Sequence, residues 1–271
     1  QWGIDRQPKK DMVDTQLLQQ TKLSQAIPNL STQPRQLISS NRSRQVDNFK
    51  IDWFMSTNQS MRVTINEVVG VGAFCSVHKG WDHTLGKEVA LKVFDKRKNL
   101  TSADRLSVQA EVDALKAVVN HPNVIHLLRV AQNSSTLCIV TEYWGDTTLE
   151  KYLKTRRLNN QEFKSLAMQL ISAVAHIHSV NVFHRDIKAE NVMIRKCPEN
   201  GKLICCLIDF GLAVKCEPEY WHNSRSGTKF CMSREMYFST PYKGGPHDVW
   251  SLGVLLYQML TGTLPFGGKP I

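Results

Sequence analysis

No stretch of the sequence approaches the roughly 18 consecutive apolar residues of a membrane-spanning helix. The N-terminus also lacks the apolar core of a signal peptide, so neither a membrane anchor nor a secretory leader is expected. Framework spacing is missing from the cysteines: there are seven, an odd number, which argues against a disulfide scaffold and for a reducing compartment. Cys205 and Cys206 lie side by side in the apolar run 203–208 and read as small buried strand residues. No Cys/His set has zinc spacing. The net charge of +10 would suit an anionic partner. Yet the basic residues are scattered, apart from Asp95-Lys96-Arg97-Lys98, and no aromatic residues interleave with them. No nucleic-acid or membrane partner is expected, and the location is expected to be cytoplasmic or nuclear.

Glutamate is absent from residues 1–60, which are rich in Gln, Ser and Asn. They read as a disordered polar extension, with one short amphipathic helix over 13–27 carrying Val13, Leu17, Leu18 and Ile27. Residue 1 is Gln rather than Met, so the sequence reads as a fragment or a processed chain. From Met61 the texture changes. Runs 63–70, 76–81 and 87–94 read as strands parted by glycine turns, followed by a helix over 103–119 behind Thr101-Ser102-Ala103-Asp104, a relative of the capping box. Strands over 124–132 and 136–143 come next. Beyond Gly145 the pattern is helical: 149–155, 161–179 and 249–261. A strand-rich lobe (about 61–143) thus precedes a helix-rich one (about 148–271), joined near 141–147. That layout favours a cleft between lobes as the working site.

Val69, Gly70, Val71, Gly72, Ala73, Phe74, Cys75, Ser76 and Val77 place glycines between two strands, where backbone N–H groups reach phosphate oxygens unhindered by a Cβ. A plain hairpin turn would look similar. Strand alternation puts Ala90, Lys92 and Phe94 on one face. On the next helix Glu111 shares a face with Val108, Leu115 and Val118. Each charge needs a partner in such company. The economical reading pairs Lys92 with Glu111 and aims the ammonium at a ligand phosphate; the other reading is two unrelated surface charges.

The block His184-Arg185-Asp186-Ile187-Lys188-Ala189-Glu190-Asn191 carries five letters fixed in one known catalytic loop. A chance match has odds of roughly one in ten thousand at about one in twenty per position. Asp209-Phe210-Gly211 follows 18 residues after Asn191. With these residues the chain resembles the eukaryotic protein kinases. The resemblance implies an α+β, two-lobed kinase fold: an antiparallel sheet plus one helix, then a mainly helical lobe. It implies γ-phosphate transfer from ATP to Ser or Thr of protein substrates, with Mg²⁺ held by Asn191 and Asp209. Asp186 would be the catalytic base, Lys188 would sit beside the transferring phosphate, and Thr228 would bond both.

Glu142 and Trp144 fall in the stretch 140–144, which resembles the hinge whose backbone binds adenine and would put Thr141 at the gatekeeper position. Glu190 matches a position that holds basic substrate side chains in some relatives, pointing to basophilic substrates. Arg185 implies a cationic pocket for a phosphorylated activation segment, at Ser224 or alternatively Ser226, loaded by an upstream kinase. Asp248 resembles the start of the helix that supports the catalytic loop. The stretch 242–257 is most similar to the calmodulin-dependent and AMP-activated group.

Departures from the pattern are Cys75 for the third loop glycine, Ser233-Arg234-Glu235 for Ala-Pro-Glu, and Lys229 and Cys231 nearby. The chain stops at Ile271, where the family continues through further helices, so the second lobe reads as incomplete. The rival reading is a catalytically silent pseudokinase or inactive fragment acting as a scaffold or allosteric partner. Against it, Lys92, Glu111, Asp186, Lys188, Asn191 and Asp209 are all present. A small-molecule kinase is disfavoured by the long segment between Gly211 and Glu235.

Overall fold

The computed structural model describes residues 49–55, 60–72, 75–98, 101–238 and 241–266. The expected helix over 13–27 and loop residues Ala73 and Phe74 lie outside these.

Six antiparallel strands close into a barrel in the order β1-β2-β3-β4-β6-β5. They are β1 (Phe49–Met55), β2 (Ser60–Val71), β3 (Cys75–Asp82), β4 (Lys87–Asp95), β5 (Leu127–Gln132) and β6 (Thr136–Glu142). Barrel closure comes from β1, which pairs with β2 along its length and with β5 at Phe54↔Gln132 and Met55↔Ala131. The sheet therefore begins before Met61, within the stretch assigned from sequence to the polar extension.

Alternation along the strands drives Val63, Val89, Leu91, Ala131, Cys138 and Val140 into the barrel interior. The opposite face of β4 meets helix α1 (Ser102–Ala117), whose Val112 and Leu115 pack with Phe94 and Ile139 in the main core. The capping box at Thr101 is formed in both directions. Thr101 Oγ1 accepts from the Asp104 amide at 3.1 Å, and the Asp104 carboxylate accepts from the Thr101 amide at 2.8 Å. This fixes where α1 starts, and hence where Glu111 falls on it.

The remaining chain is built on α2 (Leu149–Thr155), α3 (Asn160–Ser179) and α5 (Gly244–Thr261), with the short α4 (Arg234–Tyr237) before the last. Hairpin β8–β9 (Val192–Lys196 and Leu203–Leu207) carries Cys205 and Cys206, both fully buried. Two-residue pairings, β7 (Val182–Phe183) with β10 (Val214–Lys215) and β11 (Trp221–His222) with β12 (Tyr242–Lys243), pin the long segment after Gly211 onto this part. Helix α5 starts at Gly244, five residues earlier than its apolar pattern suggests. Pro246 sits in its first turn, where a missing N–H costs nothing. Its C-terminus is closed by Gly262 at φ 75°, donating to the Gln258 carbonyl at 2.7 Å.

Candidate active site

Lys92 leaves β4 on the side facing α1. Its Nζ donates to both oxygens of Glu111, at 2.7 and 3.0 Å, and to Asp209 Oδ1 at 3.0 Å. Burial opposes the Lys92 charge, but the two carboxylates outweigh it and raise the ammonium pKa above its ordinary value. Burial also works against the Asp209 charge, and Lys92 overrides it, holding that carboxyl below the usual range. Glu111 is buried, whereas half of the Asp209 side chain is exposed. Phe210 plugs the core beside Asp209, edge-on to His184 at 4.9 Å between centroids.

The second cluster is centred on Asp186. Its Oδ1 accepts from the Thr228 amide at 3.0 Å and the Thr228 hydroxyl at 2.9 Å. Its Oδ2 accepts from Asn191 Nδ2 at 3.0 Å and lies 2.7 Å from Lys188 Nζ. Lys188 also donates to Thr228 Oγ1 at 2.7 Å. Because Asn191 spends its amide nitrogen on the Asp186 side chain and carbonyl, its own oxygen is left as an acceptor. Gly227, at φ 101°, runs hard against the loop 184–191: a Cβ there would sit 2.8 Å from the Arg185 carbonyl.

Asp248, the first acid of α5, holds this loop from beneath. Fully buried, it accepts from the amides of His184 at 2.8 Å and Arg185 at 2.7 Å, and bonds the His178 ring at 2.9 Å. Arg185 is thereby held at φ 63°, a left-handed conformation that surroundings must enforce. Its guanidinium donates to the Leu212 carbonyl at 2.8 Å and lies 3.4 Å from both Ser224 Oγ and Tyr242 OH. Ser224 is exposed; the Ser226 hydroxyl is buried with no hydrogen-bond partner.

Other expected residues sit apart from these clusters. Val69 and Val71 are exposed on the glycine-loop edge, and Gly72 donates to the Cys75 carbonyl at 2.8 Å to close that turn. Burial pushes the Cys75 thiol up, as suits packing rather than reactivity. Ser76 bonds His78 at 2.7 Å, and Val77 pairs with Lys92 across β3 and β4. Ala90 pairs with Thr141. The Glu142 carboxylate turns away to accept the His126 amide at 3.1 Å. The Trp144 ring is buried under the Arg195 guanidinium, 4.0 Å away, so only its backbone remains for a ligand. Sequence reasoning left Asp248 out of the candidate site residues. The signal was present nonetheless, since a carboxylate heading an apolar helix needs donors.

A family model described as protein kinase domain matches residues 63–270, and the chain belongs to this family. CBL-interacting protein kinase 25 of Oryza sativa subsp. japonica is 34% identical over 214 residues, 76% of this chain and 40% of that protein. NUAK family SNF1-like kinase 1 of Mus musculus is 31% identical over 78% of this chain and 31% of its own length. CBL-interacting serine/threonine-protein kinase 21 of Arabidopsis thaliana is 30% identical over 78% and 49%. These relatives put the chain with the calmodulin-dependent and AMP-activated group of Ser/Thr kinases. The chain spans less than half the length of each: 40%, 31% and 49%.

Proposed function

We propose that this chain performs ATP- and Mg²⁺-dependent transfer of the γ-phosphate to serine or threonine of protein substrates, with Asp186 as the base. The observation that carries the reading is the Asp186 carboxylate, buried yet supplied with four donors from Thr228, Asn191 and Lys188. A carboxylate offers about four lone-pair positions, so an arriving substrate hydroxyl must displace one donor. Lys188 is the natural one to leave. It is long, partly exposed, and already shared with Thr228. On release its ammonium is free to meet the phosphate while Asp186 accepts the hydroxyl proton.

Among the described residues no group of three or more His, Cys, Asp or Glu could hold a metal. The donor set of Asp209 and the Asn191 oxygen is hard and incomplete, which fits an ion that takes its other ligands from phosphates and water. When bound, Mg²⁺ would neutralise charge on the phosphates. Lys92, steadied by Glu111, would face those phosphates from the sheet side.

Two finer features belong to the same proposal. Exposed Glu190, beside the catalytic loop, supports a preference for basic substrates. The 3.4 Å approach of Arg185 to Ser224 supports phosphorylation there by an upstream kinase, since a phosphate would reach the guanidinium. A silent scaffold remains the competing reading, favoured by Ser233-Arg234 and Cys75.

The test is transfer from ATP and Mg²⁺ to a basic Ser/Thr peptide by the protein at its full natural length. Asp186→Ala should lower the rate by at least about a thousandfold. Absence of transfer by a folded protein that binds nucleotide would overturn the reading in favour of the scaffold. If Ser224→Ala matches the phosphorylated parent in activity, the regulatory part fails alone; if Glu190→Gln leaves basic-peptide KM unchanged, only the basophilic part does.

A further inference from the structure

We propose that His247 is a positioning residue that ties the end of the activation segment to the catalytic loop, and so sets the place of Thr228 against Asp186. Its Nδ1 accepts from the Ser233 amide at 3.3 Å and lies 3.1 Å from Ser233 Oγ. Asp248, the next residue, accepts the Arg185 amide at 2.7 Å, so the ring stands at the point where α5 holds the catalytic loop. Both His247 and Ser233 are buried, at 2% and 3% exposure, so water does not compete for these bonds.

A neutral imidazole has one donor and one acceptor. With Nδ1 accepting from Ser233, the proton belongs on Nε2.

Neighbouring side chains make the tie mechanical. Asp248, next in sequence, holds the His184 and Arg185 amides, and Ser251, one turn further along α5, donates to the Cys231 carbonyl at 2.8 Å. A single stretch of helix therefore grips the catalytic loop with Asp248 and residues 231–233 with His247 and Ser251. Cys231 is joined to Thr228 by a 2.9 Å backbone bond across one 3-10 turn, and Thr228 bonds Asp186 directly. His247 touches neither carboxylate nor hydroxyl of the reaction; it acts through this relay. The bond to the Ser233 amide does not need the serine hydroxyl, so alanine at 233 would keep it.

The kinetic arm rests on the kinase reading above; two other arms do not. In the parent protein, nitrogen-15 spectra of the His247 ring should show a bare Nδ1, and a protonated Nδ1 would overturn the proposal. His247→Leu orphans a buried amide. Hydrogen exchange at Ser233 should then accelerate roughly tenfold, with peptide KM rising by a similar factor and ATP KM unchanged. His247→Asn places an oxygen where Nδ1 was and should restore most of both effects. Unchanged exchange in a folded leucine variant, or an asparagine variant as impaired as leucine, would sink the idea. If the leucine variant does not fold, the ring spectrum and the asparagine variant decide. A parent with no transfer at all would count against the kinase reading, while the spectra and exchange still judge His247.

Discussion

Two ion pairs are anchored on strands of the same barrel and have opposite characters. Asp82, at the end of β3, is fully buried and pairs with the Arg129 guanidinium from β5. Its other oxygen accepts the amides of Thr84 at 2.8 Å and Leu85 at 3.0 Å. The chain's own donors, two amides of the β3–β4 turn and the guanidinium from β5, hold that carboxylate, and its role ends within the sheet. Lys92 and Glu111 look alike at first, but their ammonium is shared with Asp209, half of whose side chain faces solvent. One positive charge faces two negative ones, a surplus that an incoming cation can balance. Buried charge as such therefore does not mark function. A charged cluster left unbalanced and open does.

The largest separation between the two pairs is expected in activity. Lys92→Met should cut transfer about a thousandfold, about 4 kcal/mol of transition-state stabilisation. The melting temperature should move less than for a closed buried pair, because burial already pushes the Glu111 carboxyl up and half of the Asp209 side chain meets solvent. Kinetics and a thermal melt on one preparation check both halves. A variant that loses stability and activity together would erase the distinction.

Arg129→Met should do the reverse. Removing one partner of a closed buried pair costs about 3–5 kcal/mol, read by urea unfolding, while transfer per folded molecule stays within about twofold. Arg129→Met with Asp82→Asn should recover part of that loss, since asparagine still accepts the Thr84 and Leu85 amides without a net charge. A double variant no more stable than the single would mean that the guanidinium, not the orphaned anion, carries the energy.

The open cluster was legible from sequence, and the closed pair was not. Lys92 and Glu111 each sit on a regular element, so period 2 on β4 and period 3.6 on α1 suffice to point them at one another. Asp186, Asn191 and Asp209 were legible for another reason: they lie in short loops whose spacing is itself the signal. Asp82 and Arg129 are 47 residues apart, and their meeting depends on the strand order β3-β4-β6-β5, which no local pattern states. The His247–Ser233 bond is hidden in the same way. The apolar pattern starts the last helix only at 249, which leaves His247 outside it, and packing extends the helix back to Gly244. Strand β1 was masked by the polar texture of the residues before it.

The smallest effect concerns pH, and it separates both pairs from the activation segment. Asp209, held below its ordinary 3.8, contributes stability that is present above that value and lost only as pH falls through its lower folded value. Lys92, raised above 10.5, contributes stability that is complete below 10.5 and lost only as pH rises through its folded value. The Lys92–Asp209 contact is therefore silent between the ordinary carboxylate and ammonium ranges, while Glu111, pushed up by burial, is the one carboxylate of the cluster that titrates above its ordinary value. His222 on β11 behaves differently. It is buried against Tyr220 and Tyr242, and burial, with the nearby Arg185 charge, lowers it from 6.5 to about 4. Between those values the unfolded chain binds a proton that the folded one refuses. Stability should then fall with acidification by roughly 2 kcal/mol across that window. His222→Gln should flatten the slope, measured by urea unfolding from pH 7 to pH 4. A slope that survives the substitution would move the acid-labile group out of the activation segment; a flattened one would make that segment, rather than either ion pair, the first part of the molecule to yield to acid.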